Sequence, residues 1–259
     1  MVKLKNYNVP LNYFVLFLTF AAAVSCGPQK PVVTRIEGKE ISIDEKAGSS
    51  TEIERIVKPY RDKVDQDLNT VLAYAPETLD KNGQWQTTMG NLFADVAMQY
   101  GNKVFEKREG KKIDIVMLNH GGIRTIIPKG DVTTRAAFEI MPFENSMVVC
   151  AMNGATVMEL INYFIAEKKP HPLSGLTFTI DKNGVAKNIL VQGKPIEDGK
   201  IYYVGTNDYL YNGGDNMLFF KKSTAKYDLD YKLRNILIDY FKDADTIPAT
   251  RDVRISQEK

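Results

Sequence analysis

The sequence predicts a mixed α/β fold: a single domain with one mixed sheet and flanking helices, beginning at about residue 51. Five segments are predicted to be helices, at 51–72, 88–100, 133–140, 155–166 and 229–241. Five short, largely apolar runs are predicted to be strands, at 113–118, 146–152, 176–180, 185–191 and 201–206. The two kinds of segment are interspersed without an internal repeat or a second linker, which favours one domain whose helices cover a sheet.

The composition is that of a globular protein. Of the 259 residues, 44% are hydrophobic and 25% are charged, which is enough for one substantial core or two small domains. The formal net charge of +2 comes from Lys3 and Lys5, so a mature chain without residues 1–25 is balanced. No basic block and no stripe of basic and aromatic residues stands out, which argues against nucleic acid as a partner.

The amino-terminal segment is typical of a bacterial export signal. Lys3 and Lys5 precede the apolar run Phe14–Val24, which is too short to span a bilayer and has the length of a signal-peptide core. The small residues before Cys26 resemble a lipobox, in which this cysteine is diacylated after residues 1–25 are removed. We therefore expect an exported protein that is lipid-anchored to a bacterial membrane, in the periplasm or at the cell surface. The alternative is an ordinary cleavage site near a chance cysteine.

The next segments are a tether and the first helix of the domain. Residues 26–50 are rich in Pro, Gly, Ser and charge, and are predicted to be flexible. The domain, residues 51–259, opens with a helix capped near Thr51, which Pro59 is expected to kink or divide. The apolar residues of this helix keep three-to-four spacing: Ile53, Ile56, Val57, Tyr60, Val64, Leu68 and Leu72.

Turn residues set the boundaries of the later elements. The second helix is predicted to end at Gly101, because glycine commonly follows the last turn of a helix. The strand at 113–118 places Asn119 at its carboxyl end, where ligands commonly bind. A turn at Asn153-Gly154 precedes the fourth helix, and Lys182-Asn183-Gly184 is predicted to turn a hairpin.

Two stretches, Asn119–Arg124 and Tyr209–Asp215, are predicted to be the halves of a nucleotide-binding pocket. Arg124 offers a planar fork that suits a phosphate. Each stretch also carries a pair of glycines, which permit positive φ or close approach of the backbone to a ligand. These glycines are Gly121, Gly122, Gly213 and Gly214. The alternatives are tight turns for the glycines and a structural ion pair for the arginine.

Four segments, taken in order, resemble the successive signatures of the C-terminal, substrate-binding domain of the 5'-nucleotidase and UDP-sugar hydrolase family. They are Met89–Leu92, Asn119–Arg124, Pro142–Asn145 and Asn212–Asp215. The resemblance covers residues 51–259. It implies the fold of that domain and a nucleotide or nucleoside as the ligand.

The resemblance also implies roles for individual side chains. Phe143 and Tyr209 match the two aromatic residues between which the family stacks the base, and Asp215 matches the residue that accepts hydrogen bonds from ribose hydroxyls. Asn119 and Asn145 match positions that contact the nucleoside or frame the pocket. The alternatives are core packing for the aromatic residues and turn stabilisation for the others.

The sequence departs from the family's pattern in two places. The family carries an additional arginine shortly before the segment matched by Met89–Leu92, whereas the stretch Lys81–Gln86 contains none. Reduced phosphate affinity or a less charged ligand is therefore expected. The family's Gly-Gly-Asp-Gly-Phe is replaced by Gly213–Met217, so the backbone after the aspartate is expected to differ.

No catalytic residue and no metal site is predicted in this chain. The family's N-terminal metallophosphoesterase domain binds two divalent cations through several His, Asp and Asn side chains, whereas this sequence has only His120 and His171. His171 is expected in an exposed loop, because it lies between two prolines. A nucleophile elbow, a phosphate-binding loop and a Cys-x-x-Cys motif are also missing from the sequence.

Three hypotheses about function follow from these observations. The favoured one is the recognition half of a split nucleotide phosphohydrolase. Its divalent metals, the only cofactors implied, would be held by a separate metallophosphoesterase chain. The second is a stand-alone lipoprotein that binds nucleotides or nucleosides without hydrolysing them. The third is a complete hydrolase with an unrecognised mechanism.

We expect Cys26→Ala to leave a soluble or unprocessed precursor, because a single thiol carries the whole predicted lipid attachment. Membrane fractionation, combined with mass spectrometry of the amino terminus, measures both the location and the processing of the variant. A correctly cleaved variant that remains in the membrane fraction would show that Cys26 is not the anchor.

Overall fold

The computed structural model describes residues 8–24, 33, 35–44 and 48–258. The chain divides into two compact units, Met1–Thr51 and Glu52–Lys259. Cys26, the predicted lipidation site, lies outside the described residues. The predicted signal cleavage and the predicted tether therefore remain predictions.

The first unit contains the helix α1 (Asn8–Val24). It contains the apolar run that was predicted to be the signal-peptide core, and its large apolar side chains between Leu11 and Phe20 are exposed. None of the helices in the described ranges combines the length and the apolar character that crossing a membrane requires.

The rest of the chain has a mixed α/β architecture, as predicted. Its helices are α2 (Thr51–Leu68), α3 (Thr88–Glu109), α4 (Thr134–Ile140), α5 (Gly154–Glu167), α6 (Asp208–Tyr211) and α7 (Leu233–Asp243). Its strands are β1 (Val71–Ala75), β2 (Ile115–Met117), β3 (Gly130–Thr133), β4 (Ser146–Asn153), β5 (Leu173–Ser174), β6 (Leu176–Ile180), β7 (Ala186–Val191), β8 (Lys194–Pro195), β9 (Ile201–Asn207), β10 (Ala225–Lys232) and β11 (Ile255–Gln257). Short 3-10 turns occur at His120–Gly122, Gly214–Asn216 and Leu218–Lys222.

In the described part of the chain the strands form three sheets, whereas the sequence analysis predicted a single mixed sheet. The central, five-stranded sheet has the order β10-β4-β9-β2-β5, in which β2 and β9 are parallel and the other neighbours are antiparallel. A second sheet has the order β11-β6-β7-β8 and contains the predicted hairpin. The third pairs β1 with β3, two short strands that the sequence analysis did not predict.

The central sheet is covered on both faces. Along β4, alternate side chains point to opposite sides: Met147 and Val149 pack with α3 and α7, whereas Val148 and Cys150 pack with α5. Double coverage explains why this strand is a continuous apolar run instead of an alternating one. The ends of the strands are then the places where polar side chains can reach a ligand.

The prediction that the second helix ends at Gly101 is wrong. Helix α3 continues through this residue and ends at Glu109, followed by Gly110 in the left-handed region. Gly101 is buried, and a Cβ there would lie 2.5 Å from Cε of Met147. This glycine therefore allows the helix to approach β4 closely.

The predicted start of the last helix is also wrong. Residues 229–232 belong to β10, which pairs with β4, and α7 begins at Leu233. The β10 strand has an irregularity between Asp228 and Lys232, and Asp230 has a φ of 50°. Leu229 is buried in the same core as α7, which is why its apolar character fitted the helical pattern.

Helix α2 forms as predicted and stays a single helix across Pro59, but its apolar stripe is not part of the core. No residue of this helix is buried, and the stripe does not reach Leu72, which lies in β1. Ion pairs stabilise the helix surface, and one of them, Arg135–Asp65 at 2.9 Å, connects α2 to α4. The periodicity therefore predicted the helix correctly and its burial incorrectly.

A buried arginine connects the carboxyl-terminal strand to the rest of the domain. Arg254 is 6% exposed, and its guanidinium lies 2.6 Å from Asp95 in α3 and 2.9 Å from Asp252. It also donates a hydrogen bond to the carbonyl oxygen of Leu173 in β5. Because it is planar and always charged, a guanidinium can satisfy several acceptors at once in such a site.

We expect Arg254→Met to lower the free energy of unfolding by about 3 kcal/mol, the lower end of the range for a broken buried ion pair, because both carboxylates partly reach solvent. Urea denaturation measures the change. The matched control is Arg251→Met, which removes an exposed pair with Glu77 and should leave the midpoint almost unchanged. Equal losses in the two variants would contradict this role of Arg254.

Candidate functional site

The topology of the central sheet brings the predicted motifs together. Parallel strands β2 and β9 end at the same edge, and the antiparallel strand β4 begins there, with Met147 opposite Asn207. The segments after β2, before β4 and after β9 enclose a cavity of about 330 Å³. It is lined by Asn119, Gly121, Gly122, Arg124, Phe143, Asn145, Tyr209 and Asp215. Six of the eight predicted substrate-binding residues are in this lining.

The segment after β2 supplies a turn and a cation. Asn119 is followed by the 3-10 turn His120–Gly122, and a Cβ on Gly122 would lie 2.8 Å from Oδ1 of Asn119. The amide of Arg124 donates to the carbonyl oxygen of Ile140 at 2.9 Å, which fixes this segment against the end of α4. The side chain of Arg124 is exposed, and its Cζ lies 5.9 Å from the centroid of the Phe143 ring.

Arg124 forms no salt bridge within the described part of the chain; its Nη1 donates only to the carbonyl oxygen of Gly121, at 3.3 Å. The described residues therefore do not show the structural ion pair that was the alternative role for Arg124. A guanidinium that faces a cavity without a carboxylate partner is available to a bound anion.

Asp215 is held by two of the other predicted site residues. Asn119 donates from Nδ2 to its Oδ2 at 2.8 Å, and the hydroxyl of Tyr209 donates to its Oδ1 at 2.9 Å. The hydroxyl of Tyr163 donates to the main-chain oxygen of Asp215 at 2.7 Å, and the residue has a φ of 50°. Each carboxylate oxygen can accept a further hydrogen bond. The carboxylate is thus fixed in place with remaining capacity for ligand hydroxyls.

The two glycines before Asp215 do not line the cavity, but they determine the shape of the turn that carries this residue. Gly213 has a φ of 95°, which side chains rarely adopt. At Gly214 a Cβ would lie 2.4 Å from the Tyr209 ring. The close approach in this turn is therefore between the backbone and that ring, and it allows Tyr209 to lie next to Asp215.

Lys81 is a site feature that the sequence analysis did not identify. Its Nζ donates to the carbonyl oxygen of Ile123 at 2.5 Å, so it lies behind the segment that carries Arg124. Burial, and then the positive charge of Arg124, lower the pKa of Lys81. The available signal was its position in the stretch where the family carries an additional arginine.

The two histidines form a pair with a structural role. His171 was expected in an exposed loop but is 3% exposed, because its ring packs against the rings of Tyr163 and Phe164. Its Nδ1 accepts the amide of His120 at 3.2 Å. Burial lowers the pKa of His171 to about 4, so the ring is neutral at neutral pH.

These residues do not fit a metal centre. Within the ranges that the structure describes, no group of three or more His, Cys, Asp or Glu side chains is placed to hold a metal ion. The acceptor nitrogen of His171 is already used by the protein. A two-metal site needs several such ligands at one point.

A larger open groove, of about 530 Å³, lies between α3 and the β10–α7 region, but two of its tyrosine hydroxyls are already bound to two of its carboxylates. Tyr100 donates to Asp243, and Tyr231 donates to Asp239, each at 2.5 Å. None of the predicted site residues lines this groove. The smaller cavity is therefore the better candidate for a ligand site.

Comparisons with known proteins identify the family of this chain. The family described as 5'-nucleotidase, C-terminal domain, matches residues 68–222, which is more than half of the chain. A 5'-nucleotidase of Vibrio vulnificus is 26% identical over 70% of this chain and 32% of its own length. A cell wall protein of Listeria monocytogenes is 28% identical over 61% of this chain and 21% of its own length. The chain thus spans about a third or less of these relatives.

A solved structure supports the fold. The crystal structure of a 5'-nucleotidase precursor from Thermus thermophilus superposes with a TM-score of 0.67 at 24% identity, covering 79% of this chain and 42% of that one. The sequence match and the shared fold lead to one conclusion: the chain belongs to the family of 5'-nucleotidase C-terminal domains.

Proposed function

We propose that this chain is the nucleotide-recognition half of a split 5'-nucleotidase-type phosphohydrolase, whose metal catalysis is supplied by a separate metallophosphoesterase chain. The observation that carries the recognition role is the content of one cavity. Two exposed aromatic rings, an arginine that has no salt bridge among the described residues and a carboxylate fixed by two donors line the same space of about 330 Å³. A nucleotide has a flat base, ribose hydroxyls and a phosphate that can meet these groups.

The base stacks on the aromatic residues in this proposal. Phe143 and Tyr209 are 40% and 46% exposed, and both line the cavity. Large aromatic side chains lose little conformational freedom on binding and offer flat faces to any base. The alternative of core packing does not account for this exposure.

The sugar and the phosphate meet polar groups in this proposal. Asp215 accepts from ribose hydroxyls, because its oxygens keep free acceptor capacity after binding Asn119 and Tyr209. Arg124 binds the phosphate through its guanidinium fork. Lys81 adds positive charge behind the Arg124 segment, which favours an anion at this end of the cavity.

The catalytic step is attributed to the partner. In metal-dependent phosphate hydrolysis, two cations activate water and stabilise the charge on the phosphate. The residues of the cavity offer stacking, hydrogen bonding and one guanidinium but no suitable ligand cluster in the described ranges. We further propose that the chain works outside the cytoplasm, anchored through lipid at Cys26, with residues 51–259 as the recognition domain.

Replacing Phe143 or Tyr209 with Ala is expected to weaken adenosine binding by roughly 1–3 kcal/mol, the range for loss of one base–aromatic stack. Arg124→Ala is expected to weaken AMP binding far more than adenosine binding, because only AMP carries the phosphate. Calorimetry with both ligands measures the contrast.

Unchanged melting transitions are the control for all three variants, since an unfolding defect would weaken both ligands alike. Equal losses for adenosine and AMP in Arg124→Ala would mean that this arginine does not contact the phosphate. Undiminished adenosine binding in both aromatic variants would contradict base stacking in this cavity.

The purified chain alone is expected to release no phosphate from AMP or UDP-glucose in the presence of Mn²⁺, Co²⁺ or Zn²⁺, because the catalytic cations would be held by the partner. A colorimetric phosphate assay measures this, with a two-domain 5'-nucleotidase as the positive control. Adding a co-purified metallophosphoesterase should restore release. Metal-dependent turnover by a contaminant-free preparation would contradict the split arrangement. If no metallophosphoesterase co-purifies with a chain that binds nucleotide, a stand-alone binding protein is favoured.

A further inference from the structure

The loop that carries Phe143 and Asn145 is short and is fixed by few contacts of its own. It joins the end of α4 at Ile140 to the start of β4 at Ser146. The Phe143 side chain is 40% exposed, so packing of that ring alone does not fix the loop. Some other part of the chain must therefore define where the ring lies.

Three consecutive residues at the junction of β10 and α7 bind this loop. The Nζ of Lys232 donates to the carbonyl oxygen of Glu144 at 2.6 Å. The amide of Leu233 donates to the carbonyl oxygen of Asn145 at 3.0 Å. Arg234 donates from Nη1 to the carbonyl oxygen of Pro142 at 3.3 Å and from Nη2 to the Glu144 carboxylate. Each residue flanking Phe143 is thus tied to the 232–234 segment.

Arg234 is the buried member of this group. It is 8% exposed, and its Cζ lies 4.3 Å from the centroid of the Phe138 ring in α4. Its Nε is buried without a hydrogen-bond partner in the described residues. Burying a guanidinium is costly unless well-placed hydrogen bonds and a charged partner offset the loss of water. Here its two terminal nitrogens reach both sides of Phe143, a span that the single ammonium of a lysine does not provide.

We propose that Arg234 is a positioning residue for ligand recognition: it holds the loop 142–145 so that Phe143 presents its ring to the cavity. Arg234 does not line the cavity and acts only through the loop. The proposal rests on the proposed function, since the ring matters because it stacks on the base. It extends the site to α7, which none of the sequence motifs includes.

The test is a double-mutant cycle on the purified chain, with adenosine as the ligand. Arg234→Lys keeps the charge but removes the fork, and is expected to weaken binding by about five- to tenfold, within the range for coupled neighbours. In a Phe143→Ala background the same change should alter binding less than about twofold, because the ring it positions is gone. Arg251→Lys, in an exposed pair with Glu77, is the matched control.

A second measurement needs no ligand. The ¹⁵N relaxation order parameters of the Phe143 and Asn145 amides should fall from about 0.85 in the parent chain to below about 0.6 in Arg234→Lys. If that variant does not fold, Glu144→Gln removes the partner carboxylate, which is exposed, and should loosen the same amides. Unchanged order parameters in a folded variant, or equal affinity losses in both backgrounds, would overturn the proposal. If the loop loosens in the variant but the unchanged chain binds neither adenosine nor AMP, the positioning role is supported and the proposed function is refuted.

Discussion

In the central sheet, β9 lies between β2, to which it is parallel, and β4, to which it is antiparallel. This arrangement brings three strand ends together on one side of the sheet: the ends of β2 and β9 and the start of β4. Helices cover both faces of the sheet, so most side chains within the strands are buried in the core. Polar and aromatic groups can converge on a ligand only where the strands end, and the cavity lies there.

The two ends of the cavity differ in charge and in hydrogen-bonding groups. The Asp215 carboxylate is held by Asn119 and Tyr209, whereas Arg124 has no carboxylate partner among the described residues and has Lys81 behind its segment. One end is thus preorganised to accept hydrogen bonds, and the other retains positive charge. The chemistry of such a pocket suits a ligand with hydroxyls near a flat ring at one end and an anion at the other.

The sequence predicted features that depend on local patterns. The largely apolar run at 146–152 indicated a strand, and the loop motifs indicated which residues meet near its start. Features that depend on distant partners were missed. The pairing of β1 with β3, the passage of α3 through Gly101 and the exposure of α2 each depend on residues far along the chain. Arg234 was missed for the same reason, since its partners lie about 90 positions earlier and two of its contacts are to backbone and ring.

The buried His171 makes the wall of the cavity sensitive to acid. Its Nδ1 accepts the His120 amide only while the ring is neutral, and burial holds its pKa near 4 instead of the ordinary 6.5. The unfolded chain therefore binds a proton between these pH values that the folded chain does not. The free energy of unfolding is therefore unaffected by this group above about pH 6.5. It falls by about 3 kcal/mol in total as the pH is lowered towards 4. Below that range, protonation would remove the acceptor that holds the turn after Asn119, so the side of the cavity that contains Asn119 and Asp215 would loosen in acid.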